Sequence, residues 1–251
     1  YLPALPRQHA YSLSAMYPYA TQPNGEMALA GQINYKIKKD SWVGGKYGTD
    51  IAVNYSRITS IKMEPAEGEN TTGASGTLGY QSPFFAFGDE LYFQDLNIEI
   101  QHKFTSSYKL LVSYMYLNYN IDVIEGHPGD PMVKAHIIIA DMTYKFNQTN
   151  ALKFEFQNLF TQQDDGDWLQ FLFEYTIAPK WFFTFSDQYN YGNPDNDRRF
   201  HYMNVAAGYT QGSNRLSISY GKQREGIVCV GGVCRNVPAS NGLTLTLTSS
   251  F

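Results

Sequence analysis

The two cysteines of this chain are the first candidates for chemistry. Cys229 and Cys234 have four residues between them and lie on either side of Gly231-Gly232. A pair this close can form a disulfide across the tip of a hairpin in an oxidising compartment, or it can supply half of a metal site. A structural zinc site needs about four cysteine or histidine ligands, and the surrounding residues 223–240 contain no histidine. We therefore predict a disulfide between Cys229 and Cys234, and no metal or other cofactor.

The histidines that we considered show no catalytic or metal-binding pattern. A serine hydrolase needs a serine, a histidine and a third residue that orients the histidine. His102 lies between Ile100 and Phe104 in an alternating segment, and the sequence assigns it no such partner. The others that we considered are not spaced as pairs of metal ligands: His127, His136 and His201. We predict no catalytic residues and no enzyme activity.

Charged side chains occur opposite an apolar face in several alternating segments. They are of mixed sign: Glu99, Lys103, Asp141, Lys145, Lys153, Glu155 and Glu174. If they point into the interior of a barrel, two interpretations are open. Cross-strand pairs can neutralise a filled interior, or the charges can line a water-filled channel with weak ion selectivity. Arg224 and Glu225 can add charge at the mouth of such a channel, or they can belong to a solvated loop.

Segments that alternate apolar and polar residues position these charges. A period of two is typical of β-strands with two unlike faces. In the last segment, Leu243, Leu245 and Leu247 alternate with threonines. About 12 segments show the pattern, and the first has its apolar residues at Tyr11, Leu13, Ala15 and Tyr17.

The length and composition of these segments favour a membrane barrel over a soluble β-sandwich or a lipocalin-like barrel. Most run for about 10 residues or more, as membrane strands do, whereas soluble strands average about 5–6. Aromatic residues make up 16% of the chain and concentrate on the apolar face, as in the girdles of outer-membrane barrels. We predict an all-β fold, an antiparallel transmembrane β-barrel of about 12 strands, as a single domain over residues 1–251.

The connections between the segments alternate in length. Residues 178–180 and 211–214 are short, whereas residues 190–200 and 223–240 are long. Outer-membrane barrels have short periplasmic turns and long outer loops, so we predict that the C-terminal strand runs towards the periplasm. Residues 39–49 form a longer joint on the periplasmic side and depart from this pattern.

Two resemblances extend the prediction. The segment SNGLTLTLTSSF ends at Phe251 and resembles the C-terminal strand that the barrel assembly machinery reads in outer-membrane proteins. The stretches ALPRQHAYSLSAMYPYATQPNGE (4–26), GDWLQFLFEYTIAPKWFFTFSDQYN (166–190) and GKQREGIVCVGGVCRNVPASNG (221–242) are similar to an uncharacterised family of Bacteroidota outer-membrane proteins. The chain begins YLPALPRQHAY, without an initiator methionine or a signal peptide, so we expect a processed product or a fragment. The similarity is to the C-terminal part of longer proteins, so the whole barrel can have more than about 12 strands, although an even number such as about 12 could also close alone. It implies a fold and a location, and no activity.

Charge and fold together limit the function. A net charge of −4 and the lack of a basic run argue against a nucleic-acid partner. We predict a protein of the bacterial outer membrane, in contact with its lipid, that acts as a passive or weakly selective diffusion channel. The alternative is a non-conducting scaffold or accessory subunit that holds other outer-membrane proteins. Both stay open, because about 12 strands lie between filled 8-stranded barrels and open 16-stranded porins.

Overall fold

The computed structural model describes residues 9–23, 25–67, 79–230 and 233–249, and the side chains of residues 226–236 lie outside this description. The strands are β1 (Glu26–Ile37), β2 (Thr49–Ile61), β3 (Glu64–Pro65), β4 (Tyr80–Gln81), β5 (Phe87–Lys103), β6 (Tyr108–Tyr119), β7 (Val133–Lys145), β8 (Asn150–Phe160), β9 (Trp168–Ile177), β10 (Trp181–Tyr189), β11 (His201–Gln211), β12 (Asn214–Gln223), β13 (Gly226–Val230), β14 (Val233–Val237) and β15 (Ser240–Ser249). The helix α1 (Ile121–Glu125) and a 3-10 turn (Asn196–Arg198) lie in two of the loops. No helix in the described ranges is long and apolar enough to cross a membrane.

Eleven of the described strands form one antiparallel sheet. Its order is β1-β2-β5-β6-β7-β8-β9-β10-β11-β12-β15, while β3 pairs with β4 and β13 with β14 as two separate hairpins. The strands are long, with 17 residues in β5 and 13 in β7. Within the described part of the chain, β1 and β15 each have one neighbour and form the two edges. The all-β antiparallel fold predicted from the alternation is confirmed.

Short connections between strands lie at one end of the sheet, and most long connections lie at the other end. At one end, which we call the short-turn end, two to four residues join β5 to β6, β7 to β8, β9 to β10 and β11 to β12. At the other, the long-loop end, residues 120–132, 190–200 and 224–239 connect the strands of the sheet. The predicted alternation of short and long connections is therefore present. Its predicted exception is present too, because residues 38–48 join β1 to β2 at the short-turn end.

The two faces of the sheet have different surroundings. Side chains along a strand point alternately to opposite faces. On β7, Ile138 is 41% exposed, whereas Ile137 and Ile139 are at most 1% exposed. We call the face that carries Ile138 the outer face and the face that carries Ile137 the inner face.

The first predicted strand is wrong. Residues 11–17 form turns, and the backbone folds back on itself, with Ala15 N donating to Tyr11 O at 2.9 Å. Leu13 and Ser14, which strict alternation would place on opposite faces, are both buried. These turns replace the strand that the alternation predicts. We call residues 9–23 the inner segment; the sheet has eleven strands where the sequence predicted about 12.

The hydrophobic core lies between the inner segment and the inner face of the sheet. Leu13 and Tyr17 of the inner segment pack into one cluster with side chains from β2 and β5 to β9. The members from these strands include Ile58, Phe93, Met115, Leu117, Ile137, Ile139, Leu159 and Trp168. Complete burial of a leucine such as Leu13 stabilises a fold by about 1.5–3 kcal/mol. The inner face of these central strands is therefore filled by protein.

Candidate functional site

Hydrogen bonds to β8 and β9 hold the inner segment. Leu13 N donates to Gln157 Oε1 at 2.9 Å, and Gln157 Nε2 donates to Ser12 Oγ at 3.5 Å. Ser12 Oγ donates in turn to Gln170 Oε1. Gln157 is completely buried, and the polar atoms of a buried side-chain amide normally form hydrogen bonds. These bonds therefore fix the position of the inner segment on the sheet.

Three of the charged residues predicted from the sequence meet beside Tyr11. Lys153 Nζ lies 3.3 Å from Asp141 Oδ2 and 2.9 Å from Glu155 Oε2. Asp141 and Glu155 lie opposite each other in the register of β7 and β8. Tyr11 donates its hydroxyl hydrogen to Asp141 Oδ2 at 3.0 Å, and burial, then Asp141, raise the pKa of Tyr11 well above its usual value. Here the predicted charges form a compensating network.

Two more contacts anchor the inner segment at separate points. His9 Nε2 lies 3.0 Å from Asp95 Oδ2 on β5. Asp95 is completely buried, and its Oδ1 has no hydrogen-bond partner among the residues described. Tyr17 donates to Asp164 Oδ2 at 2.9 Å in the β8–β9 loop, and burial, then Asp164, raise the pKa of Tyr17. The sequence reasoning missed this role of His9, because no alternating pattern marks it.

The other predicted charges lie elsewhere on the sheet. Lys103 and Lys145 are exposed at the short-turn end. Glu174 lies opposite Lys153 in the register of β8 and β9, and Glu99 lies on β5 opposite Ser113 of β6. The seven charges predicted to share one interior therefore have different surroundings along the inner face.

A first polar cleft lies between the inner segment and the inner face of β9 to β12. Its empty volume is about 750 Å³, which includes space open to solvent. Hydroxyl and amide side chains form much of its wall: Ser12, Gln170, Thr184, Ser186, Gln188 and Asn204. Lys222, Arg224 and Glu225 line it towards the long-loop end. Convergent polar groups of this kind suit a small polar solute.

A second cleft lies against β1, β2, β5 and β6 near the short-turn end. Its empty volume is about 650 Å³, again with space open to solvent, and Asn34, Lys36, Asp50, Ala52, Glu99 and Gln101 are among its lining residues. Lys36 Nζ lies 3.2 Å from Asp50 Oδ1. The inner segment lines the first cleft through Ser12, and Glu99 of the second cleft acts electrostatically on Tyr11.

Two cations line the first cleft over aromatic rings. Lys222 Nζ lies 3.8 Å from the centroid of the Phe200 ring and 4.7 Å from that of Tyr202. Arg224 Cζ lies 5.3 Å from the centroid of the Trp168 ring. Among the residues that the structure describes, neither cation has a carboxylate oxygen within 4.0 Å. Burial lowers the pKa of Arg224, but a guanidinium stays charged in proteins.

Gly221 turns Lys222 towards the first cleft. Strict alternation along β12 would place Lys222 on the outer face with Tyr220. Gly221 has a φ of +150°, and a Cβ built there would lie 2.1 Å from Met203 O. A residue with a side chain rarely adopts this conformation. The glycine interrupts the alternation, so that Lys222 lies over the ring of Tyr202 instead.

The predicted disulfide and the predicted assembly signal concern side chains outside the description. The register of β13 and β14 places Cys229 opposite Cys234, but their side chains and all of Phe251 lie outside the described part of the structure. Both stay predictions. Among the residues described, no group of three or more His, Cys, Asp or Glu side chains is placed to hold a metal ion.

Comparison with known proteins yields a family and a distant structural likeness. The sequence model described as "Family of unknown function (DUF6029)" matches residues 1–251. Three mutants of the Rhodopseudomonas blastica porin are similar in structure, with 12% sequence identity and TM-scores of 0.25, 0.26 and 0.27. Each alignment covers 78% of this chain and 85% of the porin chain. TM-scores this low carry no argument about function. No curated protein matches the chain.

Proposed function

We propose that this chain, which belongs to the DUF6029 family of unknown function, forms a transmembrane β-barrel in a bacterial outer membrane. We propose further that the barrel acts as a narrow, passive diffusion channel for small polar solutes. The observation that carries this proposal is the first cleft, where hydroxyl and amide side chains of the sheet face the inner segment. An apolar outer face supports the membrane location.

The outer face supports contact with lipid. Large apolar side chains are exposed on it from one edge of the sheet to the other: Ile33, Tyr114, Ile138, Phe173, Phe183, Val205, Ile218 and Leu245. Soluble monomers rarely expose contiguous apolar patches larger than a few hundred Å². An outer-membrane barrel presents such a band to hydrocarbon, so lipid accounts for this surface better than water does.

The two edge strands must be covered in a bilayer, because each unpaired backbone N–H or C=O group costs several kcal/mol in hydrocarbon. β1 and β15 both run from the long-loop end to the short-turn end. Direct pairing between them would be parallel. An all-antiparallel closure therefore needs an odd number of further strands between β1 and β15, which agrees with the even strand number of bacterial barrels.

The first cleft supports passage of a small solute. The inner segment is bonded to the central strands, whereas hydroxyl and amide groups of β9 to β12 face the open volume. Such groups can replace part of the hydration shell of a polar solute. Since the inner segment and the hydrophobic cluster fill the inner face of the central strands, we expect a conductance well below that of an open porin.

A non-conducting scaffold is the second candidate, and one observation favours it. The inner segment and the hydrophobic cluster fill the inner face of β5 to β9, which leaves little space on that side of the sheet. If the remaining clefts do not connect, the barrel serves through its loops or its outer face, as a holder of other outer-membrane proteins.

Single-channel recording in planar bilayers tests the two candidates. The channel proposal predicts discrete ohmic steps. Ser186→Trp, on the wall of the first cleft, should reduce the step size at least about twofold, because Ser186 is partly exposed and an indole there extends into the cleft. Phe183→Trp is the matched control, since Phe183 lies on the outer face and the change should leave the steps as they are.

A silent bilayer would overturn the channel proposal, provided that circular dichroism shows an inserted, β-rich protein. Native mass spectrometry of the same sample would then identify any stoichiometric partner, which the scaffold candidate predicts. Equal steps in both tryptophan variants and in the unmodified protein would show that solutes do not pass along the first cleft.

A further inference from the structure

We propose that Lys222 and Arg224 form a binding site for small oxyanions, carboxylate- or phosphate-bearing solutes, at the long-loop end of the first cleft. This inference rests on the proposed channel function and names the solute class that the channel favours. It starts from the lack of a close anionic partner for either cation among the described residues.

The carboxylates near the site do not form close ion pairs with the two cations. Glu155, which also lines the cleft, pairs with Lys153 at 2.9 Å. Glu225 also lines the cleft and is exposed. Glu225 and Asp165 both act electrostatically on Arg224, but only from beyond ion-pair distance, and Asp165 accepts a hydrogen bond from Asn193. Residues 226–236, whose side chains lie outside the description, contain no Asp or Glu.

The aromatic rings hold the cations without neutralising them. A cation over a ring face is attracted by the ring quadrupole and keeps its full charge. Lys222 lies over Phe200 and Tyr202, and Arg224 lies over Trp168. Their N–H groups therefore remain available to an oxyanion, and a guanidinium can bind two oxygens of a carboxylate or phosphate at once.

The neighbouring wall suits the remainder of such a solute. Gln188 and Asn204 line the same cleft, and amide side chains both donate and accept hydrogen bonds. Gly221 has no role in the chemistry, but it directs Lys222 to this side of the strand. A neutral sugar would form hydrogen bonds with the amides but would not be attracted by the two positive charges. The charges therefore favour oxyanions over neutral sugars.

Binding can be measured without any conductance, through the fluorescence of Trp168. Trp42→Phe and Trp181→Phe leave Trp168 as the sole tryptophan of the three. Detergent-solubilised protein is titrated with inorganic phosphate, with citrate and with sucrose at constant ionic strength. We expect a saturable change in Trp168 fluorescence with phosphate or citrate and no change with sucrose. The anion that binds with the higher affinity shows whether the site prefers phosphate or carboxylate groups.

Neutralising either cation should weaken anion binding at least about tenfold, which corresponds to about 1.4 kcal/mol. The variants are Lys222→Gln and Arg224→Gln, and Lys222→Arg should retain binding. Arg198→Gln is the matched control, because Arg198 is exposed in a long-loop-end loop and pairs with Asp195. Circular dichroism verifies that each variant is folded.

The outcomes separate this inference from the channel proposal. Anion binding that is lost in the two variants, with silent bilayers, supports the site and contradicts the channel. Ohmic steps without anion binding overturn the site and leave the channel standing. Equal binding of sucrose and phosphate, or unchanged binding in Lys222→Gln and Arg224→Gln, also overturns the site.

Discussion

The inner face of this sheet differs between its central strands and its C-terminal strands. On β5 to β9, buried apolar side chains and a compensated charge network contact the inner segment. On β9 to β12, hydroxyl and amide groups face a cleft, and two cations lack a carboxylate within ion-pair distance among the described residues. The strands alternate in the same way in both regions, so alternation does not decide which one is filled.

We call the inner face of β5 to β8 the filled side and the inner face of β9 to β12 the open side. The difference between them predicts that residues of the filled side stabilise the fold, whereas residues of the open side contact solutes. A buried group that meets protein contributes packing and hydrogen bonds, and its loss leaves a cavity or an unpaired charge. A group that faces open volume can be changed at little cost in stability. Substitutions on the filled side should therefore affect unfolding, and substitutions on the open side should affect binding or passage.

Leu13→Ala should have the largest effect, because Leu13 is completely buried in the filled region. Leucine-to-alanine changes in a packed core destabilise by about 2–5 kcal/mol. Urea unfolding in lipid vesicles, followed by tryptophan fluorescence, measures the change. Leu245→Ala is the control, since Leu245 is 67% exposed on the outer face and should cost about 0.5 kcal/mol. Equal costs would mean that the inner segment does not stabilise the barrel.

Lys153→Met should lower the free energy of unfolding by about 3 kcal/mol. The change removes the cation between Asp141 and Glu155 and leaves two carboxylates side by side. The same unfolding assay applies. Lys145→Met should have almost no effect, because Lys145 is exposed at the short-turn end. If Lys153→Met were neutral, this network would be solvated, and the contrast between the two regions would be lost.

Gly221→Ala should have the smallest of these effects on stability, about 1–3 kcal/mol from backbone strain. Its Cβ would lie 2.1 Å from Met203 O, whereas a Cβ at Gly31 would meet nothing within 4 Å. Gly31→Ala is therefore the matched control. Anion titration of Gly221→Ala sharpens the comparison, because a displaced Lys222 should weaken phosphate binding on the open side. Unchanged binding would show that Gly221 does not direct this lysine.

Much of the fold was accessible from the sequence. A period of two predicts strands and their faces, and the connection lengths predicted how the strands meet at the two ends of the sheet. Asp141, Lys153 and Glu155 were predicted to point inward, and the structure brings them together. The sequence did not distinguish a filled interior from a water-filled one, because both place the same residues on the inner face.

The inner segment could not be recognised from its pattern. Tyr11, Leu13, Ala15 and Tyr17 alternate as a strand does. Tyr11, Leu13 and Tyr17, however, contact residues far along the chain, and no local signal encodes such contacts. The apolar inner positions Met115 and Ile137 gave an indication, since a water-filled interior would not favour them. Gly221 was a second indication, because a glycine before a lysine can interrupt alternation.

Thiol labelling compares the two regions most directly. Ser113 on the filled side is 1% exposed, and Ser186 lines the first cleft on the open side. In a Cys229→Ser, Cys234→Ser background, Ser186→Cys and Ser113→Cys are each treated with a water-soluble maleimide in lipid vesicles, and mass spectrometry follows the reaction. We predict that Ser186→Cys reacts at least about tenfold faster, because reaction at Ser113→Cys requires local opening. Equal rates, or faster reaction at Ser113→Cys, would contradict the division of the inner face into a filled and an open side.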